Sequence, residues 1–232
     1  MSVLYVVRHG QASFGQAEYD RLSDLGQRQA RLTGQHLAQA GLRLDAAYCG
    51  AMRRQKDTAS ALLAGLEAPP PLRQAPGWEE YDSLAIIKAL LPAMLAEDPS
   101  LEQSLGDMYQ DRRAFQRVYE AAMRRWVAGR HDLGPVETWT SFVARTRQAL
   151  ADMLAAHQGG QTVLVVTSGG PIAALLHLAL NLEDQVALQM TWVVKNASLS
   201  SFLFRGQELT LSTFNSTAHL EQHREPDLLT YR

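Results

Sequence analysis

Two short apolar runs, each followed at once by polar residues, constrain the fold of this chain most. Residues 3–7 read Val-Leu-Tyr-Val-Val, and residues 161–167 contain the run Val-Leu-Val-Val. Short, continuous runs rich in β-branched side chains predict strands that are buried on both faces, as in a parallel sheet. Because such a sheet needs covering helices on both faces, the runs predict a layered α/β fold.

The sequence between and after these runs predicts further helices and strands. Ser23 can cap a helix whose small, apolar face ends before Gly41. Further predicted elements are a strand at 44–49, a helix at about 51–66, a helix that starts at Pro171, and two closing strands at 199–204 and 209–214. We therefore predict a three-layer α/β/α sandwich with a mostly parallel central sheet. Residues 1–232 are predicted to form one domain, with a helical insertion at about 83–133.

Composition excludes several classes of protein. The 232 residues are 46% hydrophobic and 20% charged, which excludes a disordered chain. The formal net charge of −2 argues against nucleic acid as a partner. Cys49 is the single cysteine, so an internal disulfide framework and a multi-cysteine metal cage are both excluded. We expect Cys49 to be a small, buried apolar side chain.

The N-terminal run lacks the features of a targeting segment. No basic residue precedes residues 3–7, and Arg8-His9 interrupts the run far short of a signal peptide's apolar core. No window approaches the roughly 18 apolar residues of a membrane span. We therefore expect a cytoplasmic protein with no membrane partner. The oligomeric state stays open, and a homo-oligomer is compatible with the sequence.

Both buried runs end in residues that suit an anion. Residues 8–10 (Arg-His-Gly) follow the first run. Residues 168–170 (Ser-Gly-Gly) follow the second run, at the start of a predicted helix. In open α/β sheets, ligands bind beyond the carboxyl ends of the strands, where helix N-termini offer free N–H groups. Arg53 and Arg54 are predicted at the same edge, and guanidinium groups match phosphate oxygens. The alternatives are that residues 168–170 form only a tight turn, and that Arg53 and Arg54 are solvated side chains on the surface.

Six segments of the chain, in order, resemble the histidine phosphatase superfamily, which includes the cofactor-dependent phosphoglycerate mutases. The segments are 4–10, 22–30, 54–59, 77–81, 165–172 and 196–199. The resemblance implies that His9 attacks phosphorus as a neutral imidazole while Arg8 and Arg54 hold the phosphoryl oxygens. It also implies that a carboxylic acid protonates the leaving oxygen, at Glu80 by alignment or at Glu79 as the alternative.

The resemblance further implies that Ser168 and Gly169 bind phosphate, that the partner is a small phosphorylated substrate, and that no metal or cofactor takes part. The family's closing motif normally has histidine where this chain has Ser168. A hydrogen bond from a neutral hydroxyl stabilises the phosphoryl group by about 1–2 kcal/mol less than one from a charged donor, which corresponds to roughly 5–30-fold in rate. We therefore expect weakened or altered activity. A second departure is Gly15, where some members have asparagine; Gln11 or Ser13 could substitute.

Three alternatives stay open beside a phosphohistidine phosphatase. They are a mutase-like phosphotransferase, a non-catalytic phospho-ligand-binding protein on the same fold, and a serine hydrolase using Ser168 with Asp184 and His219. The last lacks the nucleophile-elbow pattern, because Val166 stands where that pattern requires glycine.

Residues 107–130 carry six arginines against three acids, a local charge of +3. This charge could attract an anionic substrate or could form a solvated helix face.

Overall fold

The computed structural model describes residues 1–13, 20–108 and 110–231, apart from the side chain of Arg112. The strands are β1 (Ser2–Arg8), β2 (Ala46–Cys49), β3 (Leu72–Gln74), β4 (Thr162–Thr167), β5 (Leu199–Arg205) and β6 (Glu208–Ser216). The helices are α1 (Asp24–Gln39), α2 (Arg53–Leu63), α3 (Ser83–Glu97), α4 (Leu101–Asp107), α5 (Arg112–Ala128), α6 (Trp139–Ala156), α7 (Gly169–Leu180), α8 (Asp184–Val193) and α9 (Ala218–Glu221). Short 3₁₀ turns occur at Pro76–Trp78 and Pro226–Leu228.

The strands found in the described residues form one six-stranded sheet in the order β3–β2–β4–β1–β5–β6. Strands β3, β2, β4 and β1 are mutually parallel, whereas β5 and β6 are joined by antiparallel pairing at one side of the sheet. The mostly parallel sheet predicted from the sequence is therefore confirmed. Because the four parallel strands point the same way, their carboxyl ends share one edge.

Alternate side chains of β4 serve opposite faces of the sheet. Val163 and Val165 pack with α6 and α7, whereas Leu164 and Val166 pack with α1 and α2. All four side chains are fully buried, which explains why this strand reads as a continuous apolar run. The predicted three-layer α/β/α arrangement is confirmed.

The helices between β3 and α6 form an apolar cluster together with residues of α6, α7 and α8. Ile86 and Leu90 of α3 and Val118 and Ala122 of α5 are buried together there. The helical character predicted for residues 83–133 is thus confirmed. Within the described residues, no helix combines the length and the apolar character needed to cross a membrane.

Several element boundaries differ from the prediction. Helix α7 begins at Gly169 rather than Pro171, because Ser168 takes the N-cap position. Helix α2 covers Arg53–Leu63 instead of 51–66, and strand β3 and helix α6 were not predicted. Helix α1 starts after the predicted cap, where the side chain of Ser23 accepts a hydrogen bond from the Gly26 N–H. Cys49 is fully buried, as expected, and burial raises the pKa of its thiol to about 11.

Candidate active site

His9 follows β1 directly and is almost enclosed by protein, with 6% of its surface exposed. Its backbone N–H donates to the Thr167 carbonyl of β4 at 2.8 Å. Its carbonyl accepts a hydrogen bond from Nδ2 of Asn196 at 3.1 Å. Strand pairing and the asparagine therefore fix where the imidazole stands at the edge of the sheet.

The hydrogen bonds of the His9 ring determine its protonation. Nδ1 lies 2.7 Å from the Gly10 carbonyl oxygen, which can only accept, so Nδ1 carries the proton. Nε2 lies 3.1 Å from Nε of Arg54, which can only donate, so Nε2 keeps its lone pair. Burial, followed by the Arg54 and Arg8 guanidinium groups, holds the pKa of His9 well below its ordinary value, although the Gly10 bond opposes this. The ring is a neutral imidazole whose Nε2 can act as a nucleophile.

Arg54 is buried beside His9 and is held from the other side by Asp20. Nη1 of Arg54 lies 2.7 Å from Oδ1 of Asp20, and Oδ2 of Asp20 accepts a hydrogen bond from the Arg53 N–H at 2.7 Å. The carboxylate therefore orients the guanidinium and also stands at the N-terminus of α2, where negative charge is favourable. The side chain of Arg53 itself is half exposed, 3.6 Å from Asp57. Sequence analysis did not identify Asp20, because nothing in its neighbourhood signals the contact.

Thr58, one helical turn after Arg54, connects that arginine to the loop after His9. The Thr58 hydroxyl accepts a hydrogen bond from the Gly10 N–H at 3.0 Å and donates to the Arg54 carbonyl at 2.7 Å. One turn of α2 thus fastens the loop after His9 to the residue that contacts the imidazole.

Glu80 lies in the loop after β3 and is partly buried. Its Oε2 accepts a hydrogen bond from the Gly170 N–H at 3.0 Å. Burial raises the pKa of Glu80, and the opposing effects of the Gly170 bond, Arg54 and Arg8 are smaller. Arg145 of α6 holds the loop by donating to the Glu79 carbonyl at 2.9 Å. The carboxyl group of residue 80 is therefore placed within electrostatic reach of both arginines and is biased toward its protonated form.

A Cβ atom at position 170 would lie 2.0 Å from Oε1 of Glu80. Only glycine therefore lets this backbone N–H approach the carboxyl group. The neighbouring Gly169 is the first residue of α7, and it borders the same cavity as Arg8 and Glu80. Arg8 donates from Nη1 to the Val194 carbonyl.

Ser168 is fully buried at the end of β4. Its hydroxyl oxygen accepts a hydrogen bond from Nε2 of Gln55 at 2.8 Å, and the same amide donates to the Trp78 carbonyl at 3.1 Å. Because the acceptor side of this hydroxyl is used by Gln55, its single proton is the group left to donate elsewhere. Gln55 is a residue that sequence analysis missed.

A cavity of about 720 Å³ is bordered by several of these groups, and we call it the site cavity. Arg8, Glu80 and Gly169 border it, whereas His9, Arg54 and Ser168 are not among its lining residues. Glu79 borders a second cavity, which Glu80 also borders. Gln11 also lines the site cavity. Ser13 is buried and its N–H donates to the Arg21 carbonyl at 2.8 Å, and Gly15 lies outside the described residues.

The segment 226–231 contributes three residues, 229–231, to the lining of the site cavity. Buried Gln29 accepts a hydrogen bond from the Gln11 N–H and donates to the Leu228 carbonyl, both at 2.8 Å. The Asn196 N–H donates to the Thr230 carbonyl at 2.8 Å, and the Thr230 hydroxyl donates to Oδ1 of Asn196 at 3.0 Å. The asparagine that holds the His9 carbonyl thus also anchors this segment.

The residues of the serine-hydrolase alternative have different partners. Asp184 lies 3.8 Å from His177. Nε2 of His219 lies 3.1 Å from the Thr33 hydroxyl, and Ser168 is bonded to the glutamine of α2. Outside residues 14–19, 109 and 232, no three His, Cys, Asp or Glu side chains are grouped as metal ligands would be.

The fold and the site together define an α/β protein that presents a neutral histidine, two guanidinium groups and a partly buried acid at one sheet edge. The profile of the histidine phosphatase superfamily (branch 1) matches residues 4–85 and 81–217. The chain therefore belongs to the histidine phosphatase superfamily, as its motifs predicted.

Solved structures with the same fold extend over nearly the whole chain. A phosphoserine phosphatase variant from Entamoeba histolytica, solved with phosphoserine, is 18% identical, with a TM-score of 0.64 over 95% of this chain and 100% of that one. A phosphoglycerate mutase from Bacillus anthracis is 21% identical, with a TM-score of 0.64 over 97% of each chain. A mycobacterial glucosyl-3-phosphoglycerate phosphatase is 22% identical, with a TM-score of 0.62 over 93% and 99%. No curated protein sequence matches the chain.

Proposed function

We propose that this protein is a metal-independent phosphomonoester hydrolase that works through a phosphohistidine intermediate on His9. The observation that carries the proposal is the 3.1 Å contact between Nε of Arg54 and the unprotonated Nε2 of His9. A neutral, buried imidazole that faces a guanidinium is suited to attack an anionic phosphoryl group, because the cation draws the substrate to the nucleophile. The guanidinium groups supply the positive charge that a metal ion provides in other phosphatases.

The proposed reaction has two displacements. In the first, Nε2 of His9 forms a bond to phosphorus, the P–O bond to the leaving group breaks, and the carboxylic acid of Glu80 gives its proton to the leaving oxygen. In the second, a water oxygen bonds to phosphorus, the N–P bond breaks, and the carboxylate of Glu80 takes a proton from that water. The raised pKa of Glu80 supports the acid role, since the protonated form is required first.

Arg8, Arg54, Ser168 and the Gly169 N–H are proposed to bind the phosphoryl oxygens. Ser168 supports this role through its bond from Gln55, which leaves the hydroxyl proton for the substrate. Since the family's histidine is absent at this position, we propose turnover that is slower by roughly 5–30-fold than a charged donor would give. We also propose that residues 1–232 act as one domain, with the helices of 83–133 covering the site.

The test is substitution of His9, with a histidine outside the site as the matched control. His9→Ala should abolish hydrolysis of p-nitrophenyl phosphate and the acid-labile phosphoenzyme formed from a ³²P-labelled substrate. His131→Ala should retain both, because His131 lies 3.5 Å from Glu97 on the helical insertion. Full activity in His9→Ala would refute the assignment of the nucleophile. Binding of phosphate esters without turnover on any of them would instead support the non-catalytic alternative.

A further inference from the structure

The part of the site cavity beyond the catalytic groups is lined by five polar residues, Gln110, Asp111, Gln116, Thr191 and Thr230, and by six aromatic or apolar side chains. These six are Met108, Phe115, Tyr119, Trp192, Leu229 and Tyr231. The volume of about 720 Å³ falls within the roughly 300–1,000 Å³ of pockets that bury drug-sized ligands. The space is therefore far larger than a phosphoryl group needs and has room for a sizeable leaving group.

This aromatic lining is continuous with the proposed acid. Tyr81 follows Glu80 in the chain, and its hydroxyl lies 2.6 Å from the hydroxyl of Tyr119. The ring of Tyr119 stacks on that of Phe115 at 5.9 Å and 21°. A leaving group whose oxygen meets Glu80 therefore extends past these side chains.

Trp192 forms another side of the cavity. The guanidinium of Arg124 lies 5.3 Å from the centre of its indole ring, a cation–π contact that holds the ring in place. Arg124 is also paired with Glu120 at 2.7 Å, so its charge is balanced by that carboxylate. The aromatic surface is thus preformed.

Apart from Arg8 and Glu80, the charged side chain among the described residues that line the cavity is that of Asp111, and it disfavours a second anionic group on the substrate. Asp111 lines the cavity and caps α5 by accepting a hydrogen bond from the Arg113 N–H at 2.8 Å. Its carboxylate and the negative faces of the aromatic rings both repel anions. Arg117 and Arg125 of the same helix are engaged with Ser100 and Glu97 on the outside of the insertion.

We infer that the site cavity takes phosphomonoesters of uncharged aromatic or extended apolar alcohols, with Phe115 and Trp192 as the residues that determine this specificity. The inference rests on the proposed function and names its substrate class. It separates this chain from structural neighbours solved with phosphoserine or 3-phosphoglyceric acid, whose leaving groups carry a carboxylate.

The experiment compares three alkyl phosphates, so that the reactivity of the leaving group does not decide the outcome: 2-phenylethyl phosphate, glycerol 3-phosphate and 3-phosphoglycerate. We expect kcat/KM to be at least about tenfold higher for 2-phenylethyl phosphate than for 3-phosphoglycerate. Phe115→Ala and Trp192→Ala should each raise the KM for 2-phenylethyl phosphate roughly tenfold and leave glycerol 3-phosphate unchanged. Arg113→Ala, an exposed change on the same helix, is the control and should change neither.

The contribution of charge is tested by Asp111→Asn, because asparagine also caps a helix but carries no charge. This variant should lower the KM for 3-phosphoglycerate by about threefold and leave that for 2-phenylethyl phosphate unchanged. Preference of the parent protein for 3-phosphoglycerate, or equal losses on all three substrates in Phe115→Ala, would overturn the inference.

Calorimetric binding to the His9→Ala variant separates this inference from the proposed function. That variant should bind 2-phenylethyl phosphate more tightly than 3-phosphoglycerate even if the parent protein turns over neither. Tight binding with no phosphoenzyme in the parent would refute the proposed function and support the cavity's specificity. A phosphoenzyme together with no preference in binding would refute the specificity alone.

Discussion

The close approach of Gly170 to Glu80 gives the sharpest test of the proposed acid. A Cβ at position 170 would lie 2.0 Å from Oε1 of Glu80 and 2.8 Å from Cε1 of Tyr81, whereas ordinary contacts begin near 3.4 Å. In Gly170→Ala the carboxyl group of Glu80 must therefore move away by more than 1 Å to reach an ordinary contact distance. A displacement of about 1 Å at a reacting group costs on the order of 100-fold in rate. We expect kcat on alkyl phosphates to fall by about that factor.

The assay uses leaving groups of different basicity. An alkoxide needs a proton from the acid whereas p-nitrophenolate does not, so p-nitrophenyl phosphate should lose far less activity than 2-phenylethyl phosphate. Gly169→Ala is the matched neighbour, because its Cβ would lie 3.5 Å from the Thr191 carbonyl, and its losses should be smaller on both substrates. Thermal unfolding of both variants checks that they are folded. If folded Gly170→Ala keeps its alkyl phosphate kcat within about threefold of the parent, Glu80 is not positioned as argued.

Three further predictions follow from the same contacts. Because the pKa of His9 is held well below 6.5, the pH profile of kcat/KM, once corrected for ionisation of the substrate's phosphate group, should show no inflection at that value and should lose activity only at more acidic pH. Because the pKa of Glu80 is raised above 4.5, kcat on alkyl phosphates should fall as pH rises through the raised value. Ser168→Ala removes a buried acceptor from Gln55, so unfolding should become easier by about 2 kcal/mol, a fall in Tm of about 4–8 °C; an unchanged Tm would contradict the contact. Asp20→Asn removes a partly exposed ion pair with the arginine beside His9, and steady-state kcat/KM should drop about fivefold; no change would show that the guanidinium is held without this carboxylate.

The layered fold could be predicted because its signals are local. The run at 163–166 is apolar at every position, and the structure shows its side chains alternating between two buried faces. Ser23 and Gly41 bracket α1 as expected, since a side-chain cap and a glycine with φ of +68° act within one turn of the helix. Helix α6 was missed although Trp139, Phe142 and later apolar residues recur at helical spacing, so its signal was present.

Other parts of the structure depend on contacts between distant segments, which a sequence pattern does not contain. Strand β3 has three residues after three prolines, and it is a strand only because it pairs with β2. Asp20 reaches an arginine 34 positions away, and Gln55 reaches a serine 113 positions away. Residue types alone could not single out these two polar side chains from the many others on the chain, because their roles are created by the folded arrangement.

The candidate chemistry and the inferred specificity come from different parts of the chain. His9, Arg54, Glu80 and Ser168 lie just beyond the carboxyl ends of four parallel strands, so the geometry of the sheet fixes them together and family motifs identify them. The far side of the site cavity is built instead by α5, α8 and segment 226–231, and the last of these lies beyond the part that matches the family profile. Substitutions in α5 and α8 can change the leaving group that fits without moving the histidine, because the backbone of His9 is held by strand pairing and by Asn196. Resemblance can therefore predict the proposed reaction, whereas the substrate must be argued from this chain's own cavity.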